Sequence, residues 1–160
     1  GLESESADAV IGEAMLTMQT ERGKRAIIAE AYRLLRAGGT YSIHELGLQP
    51  DDLPEPVKDE VRKALARSIK VNARPLTEKE WRELLESEGF EVLWSGKEPM
   101  ALLDMRRNLA DEGLGGVLRI LRNVLGNKDI RARVMNMKST FHKYSKELNG
   151  IAFVVRKPAK

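Results

Sequence analysis

Hydrophobic residues recur along the chain with two periods, and the change from one to the other predicts a strand, a helix and a second strand. Residues 9–11 form a short apolar run that ends at Gly12, which predicts a buried strand. Residues 20–37 have helical spacing, and Gly38 can supply the left-handed cap that ends the helix. Residues 41–44 alternate as a second strand. We expect these two strands to lie parallel, joined by a right-handed crossover.

A second helix-and-strand unit follows the proline-rich loop "LQPDDLPEP". One narrow apolar stripe predicts a helix that covers another element, formed by Val57, Val61, Leu65 and Ile69. Thr77 and Glu80 have the spacing of a capping box at the start of the next helix. Gly89 is expected to end that helix, and residues 90–94 are a third predicted strand.

The last part of the chain is helical in pattern, with interruptions at "DEGLGG" and "GN". Residues 101–148 therefore predict a helical insertion that caps the sheet, and residues 151–156 predict a fourth strand. The glycines of "GLGG" lie between helical segments, so this sequence is not a phosphate-binding loop between a strand and a helix. The expected fold is α/β, with residues 1–160 as a single domain.

Composition limits the chemistry that the chain can perform. The chain has 160 residues, 42% of them hydrophobic and 32% charged, which is typical of one globular domain. It contains no cysteine and two histidines, so disulfides, thiolate nucleophiles and a classical zinc site are not expected, and no metal site is predicted. No apolar run of membrane-spanning length and no leader is recognised, and we expect a cytoplasmic protein.

The net charge of +3 hides an uneven distribution of charge. Residues 1–100 carry 14 Lys and Arg against 19 Asp and Glu, whereas residues 101–160 carry 13 against 5. Two interpretations remain open. The basic residues form a solvated helical face, which includes Arg131, Arg133, Lys138 and Lys143, or they bind RNA or another polyanion.

Five short segments, taken in order, resemble one known family. They are "GEAML" after the first strand, "YRLLRAGG" at the helix end, "IHEL" after the second strand, "NARPLT" at a helix entry, and "GFEVL". Together they resemble the C-terminal half of a class I S-adenosylmethionine-dependent methyltransferase of the small-molecule family, over residues 8–157. The resemblance implies a Rossmann-like sheet of four strands corresponding to the family's strands four to seven. Their expected order is four, five, seven, six, with the last strand antiparallel and helices on both faces.

The resemblance also implies a cofactor, S-adenosylmethionine, and a small-molecule methyl acceptor. The family's glycine-rich loop and its ribose-binding acidic residue lie on strands that have no counterpart in this sequence. We therefore expect the chain alone to bind the cofactor weakly or not at all and to be inactive. Methylation of nucleic-acid bases is disfavoured, because "GEAM" stands where such enzymes carry an Asp/Asn-Pro-Pro-aromatic motif.

The resemblance assigns roles to the residues that follow the first two strands. Gly12, Glu13 and Ala14 match the segment that borders the methionine part of the cofactor. Glu13, His44 and Glu45 are the candidate catalytic residues, able to orient or deprotonate the acceptor. Simpler interpretations remain open, since Glu13 can be a helix-entry carboxylate and the other two a solvated strand end.

Three further residues are candidates for binding the acceptor. Met15 follows the cofactor segment, Arg74 in "NARPL" can bind an anionic group, and Met100 can line an apolar lid. Arg74 can equally form a salt bridge, and Met100 can simply pack within the lid.

The first predicted strand also suggests a partner. It carries no charge between Asp8 and Glu13, and its outer edge would be unpaired without a further strand. Free backbone donors and acceptors on such an edge are a template for association. We expect a homodimer or higher oligomer through this edge, and a noncatalytic interaction module is a further function class.

Overall fold

The computed structural model describes residues 1–99 and 105–159, which form a mixed α/β structure. The elements follow one another as β1 (Ala7–Glu13), α1 (Glu21–Leu34), β2 (Leu35–Leu48), α2 (Glu55–Ile69), β3 (Leu76–Thr77), α3 (Glu78–Ser87), β4 (Glu91–Pro99), α4 (Met105–Gly126), α5 (Lys128–Lys143) and β5 (Leu148–Arg156).

The four long strands lie in the order β1, β2, β5, β4, which is the order that the resemblance implies. β1 and β2 are parallel, whereas β5 runs antiparallel to both of its neighbours. The expected count of four strands was incomplete. The fifth strand, β3, has two residues and pairs with Gly47 and Leu48 of β2. The sequence predicted the segment that contains β3 only as a helix entry.

β1 is an edge strand, and the prediction that it is buried was wrong. It pairs with β2 on one side, and among the described residues no strand pairs with its other side. Ile11 is 81% exposed. An apolar run fits a buried strand and an edge strand equally well, because the pattern reports hydrophobicity rather than the number of neighbours.

Helix α1 begins as predicted and ends earlier than predicted. Thr20 caps it by accepting a hydrogen bond from the Gly23 N–H at 3.1 Å. The helix ends at Leu34, and Leu35 is already extended with ψ 139° and fully buried. Gly38 has the predicted left-handed backbone, with φ +83°, but it lies inside β2 and does not cap the helix.

The capping box on α3 is confirmed in both of its hydrogen bonds. The Glu80 N–H donates to the Thr77 hydroxyl at 3.2 Å, and the Thr77 N–H donates to the Glu80 carboxylate at 3.1 Å. Trp81, Leu84 and Leu85 form the buried face of the helix. Gly89, with φ +99°, follows its end as expected.

Helices α1 and α3 pack on one face of the sheet. The main core contains Tyr41 and Ile43 of β2 together with Ile151, Phe153 and Val155 of β5. The residues between them point to the opposite face, where Ser42, Ala152 and Val154 are half-buried and His44 is exposed. The expectation of helices over both faces was therefore wrong for this part of the sheet, among the residues that the structure describes.

A second, smaller core joins α2 to α5. It contains Val61 and Leu65 from the predicted stripe of α2, with Tyr144 and Leu148 from the end of α5 and the start of β5. The stripe thus covers another helix, as its narrow width indicated. In α4, Gly113 has non-helical backbone angles (φ 72°, ψ 173°), so the "GLGG" segment contains a kink.

Candidate active site at the ends of β1 and β2

Glu13 and His44 are neighbours on two parallel strands, and Glu13 is the last residue of β1 whereas β2 continues past His44 to Leu48. They are directly paired in the β1–β2 register, and the His44 Nδ1 lies 3.7 Å from the Glu13 Oε1. Both side chains are largely exposed, at 78% for Glu13 and 60% for His44. The structure thus brings together two of the three predicted catalytic residues, on the face of the sheet that α1 and α3 leave open.

Glu45 points to the opposite face and holds the loop that follows β1. Its side chain is buried, and its two carboxylate oxygens accept three hydrogen bonds from that loop. The Leu16 N–H donates to Oε1 at 3.0 Å, while the N–H and hydroxyl of Thr17 donate to Oε2 at 3.0 and 2.6 Å. These contacts give Glu45 a positioning role in the structure, and the catalytic role proposed from sequence stays a prediction.

The loop after β1 turns sharply at Ala14. This residue has φ +54°, in the left-handed region that non-glycine residues seldom adopt, and its N–H donates to the His44 carbonyl at 2.8 Å. Gly12 is buried beside Tyr41, and Met15 is 46% exposed. The hydrogen bonds to His44 and Glu45 fix the turn from both sides. They thereby hold Glu13 and Met15 in place at the end of β1.

A buried lysine connects this loop to the segment before β3. The Lys24 Nζ donates to the carbonyls of Gln19 and Arg74 at 2.9 Å each and lies 5.6 Å from the Trp81 ring. The Arg74 N–H donates to the Thr17 carbonyl at 2.7 Å. Arg74, predicted to bind an anionic group, is thus hydrogen-bonded to the loop that follows β1.

Burial, together with the positive charges of Arg62 and Arg74, lowers the pKa of the Lys24 ammonium to about 8. The carboxylates of Glu45 and Glu21 oppose this shift. Sequence reasoning did not single out Lys24. Its signal was present, because it stands four residues before Ile28 and seven before Ala31, on the buried stripe of α1.

Four further predictions concern Met100, a metal site, a membrane span and the basic residues near the end of the chain. Met100 lies outside the described residues. Within residues 1–99 and 105–159, no three histidines, aspartates or glutamates are grouped so that they could hold a metal ion. Nor is any helix in that part of the chain both long and apolar enough to cross a membrane. The basic residues of α5, among them Arg131 and Lys138, are exposed, which fits both interpretations of the basic tail.

Comparison by sequence finds one curated relative and no family. No family model matches the sequence. An uncharacterized protein from Haemophilus influenzae is 34% identical over 155 residues. The match covers 97% of this chain and 59% of the relative, so the chain spans less than two thirds of that protein's length.

Solved structures superpose on nearly the whole chain. Phosphoethanolamine N-methyltransferase 2 from Haemonchus contortus, in complex with S-adenosylmethionine, has a TM-score of 0.62 and 18% identity. The superposition covers 99% of this chain and 35% of that enzyme's chain. A SAM-dependent methyltransferase from Methanosarcina mazei has a TM-score of 0.55 and 16% identity, covering 99% and 62%. The cyclopropane synthase MmaA2 from Mycobacterium tuberculosis has a TM-score of 0.69 and 14% identity, covering 96% and 56%.

At these low identities the similarity shows the fold alone. This chain has the fold of the class I S-adenosylmethionine-dependent methyltransferases over almost all of its residues, which confirms the fold that the sequence resemblance implied. It spans 35–62% of the three structures compared.

Proposed function

We propose that this chain forms the C-terminal, substrate-side part of an S-adenosylmethionine-dependent methyltransferase that acts on a small molecule. One observation carries the proposal: the strand order β1, β2, β5, β4, with β5 antiparallel, belongs to a chain that superposes almost entirely on methyltransferases. In open α/β sheets, ligands bind beyond the carboxyl ends of the parallel strands. In this chain Glu13 is the last residue of β1, and its partner His44 lies on β2 beside that strand end.

The proposed chemistry divides between cofactor and protein. S-adenosylmethionine supplies the activated methyl group, and the protein aligns the acceptor and moves a proton where one must leave. His44 accepts the acceptor's proton, and the Glu13 carboxylate at 3.7 Å stabilises the resulting imidazolium. Gly12 and Ala14 border the methionine part of the cofactor, and the half-exposed Met15 contacts the apolar part of the acceptor.

The free edge of β1 supports the view that the cofactor site is shared with further strands. An apolar groove of about 410 Å³ lies beside β1, and Val10, Ile11, Met15, Ile27 and Leu34 contribute to its wall. In the family that this chain resembles, the glycine-rich loop and the ribose-binding residue lie on the strands next to this position. The chain alone therefore lacks most of the contacts that hold the cofactor.

Calorimetric titration with S-adenosylhomocysteine tests the proposal on two proteins. The Haemophilus influenzae relative, which is longer than this chain, should bind with micromolar affinity, whereas this chain should bind at least 100-fold more weakly. No binding to the relative would contradict the methyltransferase assignment. Micromolar binding to this chain would show instead that its own residues form a complete cofactor site.

We also propose that this chain associates with a second copy through the edge of β1. Light scattering at high micromolar concentration should give at least twice the monomer mass, and Val10→Lys should return the mass to that of a monomer, because a charge on the edge blocks strand pairing. Leu93→Lys is the matched control on β4, the other edge of the sheet, where the side chain is 46% exposed. A monomeric mass for the unmodified chain, or an oligomer that survives Val10→Lys, would refute this interface.

A further inference from the structure

A second cavity lies away from Glu13 and His44, between helices α1, α2 and α3. Its volume is about 750 Å³, large enough for a small metabolite. Five basic side chains line it: Lys24 and Arg25 from α1, Arg62 and Lys63 from α2, and Arg74 from the segment before β3. We call this cavity the basic cleft. The loop after β1 contacts its wall, because the Arg74 N–H donates to the Thr17 carbonyl.

Most acidic residues of the basic cleft are already paired with other groups. Glu21 bonds to Arg25 at 3.3 Å. Glu55 and Glu80 both contact Lys58, at 3.1 and 3.3 Å. These three carboxylates therefore do little to neutralise the other basic residues of the cleft.

The remaining basic residues have few partners of their own. Lys24, Lys63 and Arg74 form no ion pair within the part of the chain that the structure describes. Arg62 has one, with Asp59 at the long distance of 3.6 Å. A fourth acidic residue, Glu83, also lines the cleft. Against the five basic side chains this leaves a small excess of positive charge, and an anion is the ligand that the unpaired cations would attract.

The Arg62 guanidinium keeps free donors that face the cleft. Within the described residues its one ion pair is with Asp59, at 3.6 Å. The Nε atom is buried and cannot be reached from the cavity, but the side chain as a whole is 28% exposed. An oxyanion in the cleft would therefore bind the terminal nitrogens of the guanidinium.

Lys24 and Arg74 complete the set. Lys24 has three N–H donors and uses two of them on the carbonyls of Gln19 and Arg74, which leaves one for a ligand. Lys24 is hydrogen-bonded to the Arg74 backbone, and Arg62 lines the same cavity as both residues. Two guanidinium groups and one ammonium match an oxyanion with two negative charges better than a single carboxylate, because the planar guanidinium binds two oxygens at once.

We propose that the basic cleft binds a phosphorylated small molecule, with its phosphate held by Lys24, Arg62 and Arg74. The cavity is much larger than a phosphate ion, so the rest of the molecule occupies the remaining volume. This proposal rests on the cleft alone and does not depend on the methyltransferase assignment.

The test is a calorimetric or ³¹P NMR titration of the chain with inorganic phosphate, with sodium chloride added to keep the ionic strength constant. The unmodified chain should bind phosphate saturably. Arg74→Gln should weaken binding at least tenfold, and it should not disturb folding because the side chain is exposed. Arg62→Gln should have a similar effect.

Arg131→Gln is the matched control, since it removes the same charge from an exposed position on α5. It should change the affinity less than twofold. Equal losses in Arg131→Gln and Arg74→Gln would show diffuse attraction to a basic protein and would overturn the proposal, as would a lack of saturable binding.

A second titration identifies the class of anion. Malonate, a dicarboxylate, should bind at least fivefold more weakly than phosphate to the unmodified chain. Malonate binding tighter than phosphate binding would overturn the assignment to a phosphate group.

Discussion

The two faces of the sheet are built from the same strands and differ in almost every other respect. On the face that α1 and α3 cover, Tyr41, Ile43 and Phe153 are at most 3% exposed. On the open face, the register aligns Ile11, Ser42, Val154 and Trp94 in one row across four strands, and Ile11 and Trp94 are 81% and 55% exposed.

This difference separates the stabilising core from the proposed site. The covered face buries most of the apolar surface of the sheet and therefore supplies most of its stability. The open face carries the exposed Glu13–His44 pair, where a substrate and further protein can reach it. Strand alternation makes this division possible, because successive residues point to opposite faces.

Two isoleucines offer the sharpest test of this comparison and the largest expected effect. Ile151 is fully buried on the covered face, and Ile11 is 81% exposed on the open face. Ile151→Ala should destabilise the fold by about 3 kcal/mol, through lost burial and a new cavity. Ile11→Ala should cost at most about 0.5 kcal/mol.

Urea unfolding monitored by circular dichroism measures both changes. Equal losses for the two variants would mean that the open face is covered in solution, for example by a second copy of the chain. Repeating the measurement at low protein concentration would then restore the difference.

The next largest effect is the change of folding stability with pH that Lys24, a buried charge on the covered side, should cause. Its pKa is about 8 in the folded chain, below the ordinary value of 10.5 that applies when it is unfolded. Between these values the unfolded chain binds more protons than the folded chain, so stability rises with pH. From pH 7 to pH 9.5 the gain should be about 2 kcal/mol.

The control for this prediction is Lys24→Met, which should lack the gain between pH 7 and pH 9.5. Burial raises the pKa of Tyr41 to about 12, so its ionisation in the unfolded chain would reduce stability above pH 10. The comparison therefore stops at pH 9.5. Parallel pH profiles for the unmodified chain and Lys24→Met would contradict the lowered pKa.

Adjacent residues on β2 give a smaller contrast. Glu45→Gln removes a buried charge that accepts three hydrogen bonds from Leu16 and Thr17, and it should cost about 2 kcal/mol. His44→Gln, on the open face, should change stability by at most about 0.5 kcal/mol. Hydrogen exchange should localise the effect of Glu45→Gln to residues 14–20, and unchanged exchange there would contradict its role in holding the loop.

The same pair shows how far the sequence could predict this site. The sequence placed His44 and Glu45 together as catalytic candidates because both stand near the end of β2. Alternation sends them to opposite faces, where one meets solvent and the other meets the loop after β1. Which face is covered depends on the packing of distant helices, and no local pattern reports it.

Local signals were more informative than tertiary ones elsewhere too. The capping box of Thr77 and Glu80 was predictable because its partners are three residues apart. The end of α1 was not, since Leu35 leaves the helix to fill the core beneath the sheet, and that gain overrides the helical pattern that continues to Ala37. The unpaired edge of β1, by contrast, was expected from the resemblance, whereas the exposure of Ile11 was not.

The smallest expected effect concerns the turn by which the chain leaves β1 on its way to the covered side. Ala14 has φ +54°, a conformation that costs a non-glycine residue about 1 kcal/mol. Ala14→Gly removes this cost but gives the unfolded chain more freedom, so the net gain in stability should be about 0.5 kcal/mol. Gly38→Ala is the reverse change, at φ +83° with no atom within 4 Å of the added carbon, and it should lose about 1 kcal/mol. Urea unfolding measures the change in stability of both variants. A loss of stability in Ala14→Gly would mean that Ala14 is not strained, and that the hydrogen bonds to His44 and Glu45 fit its backbone without cost.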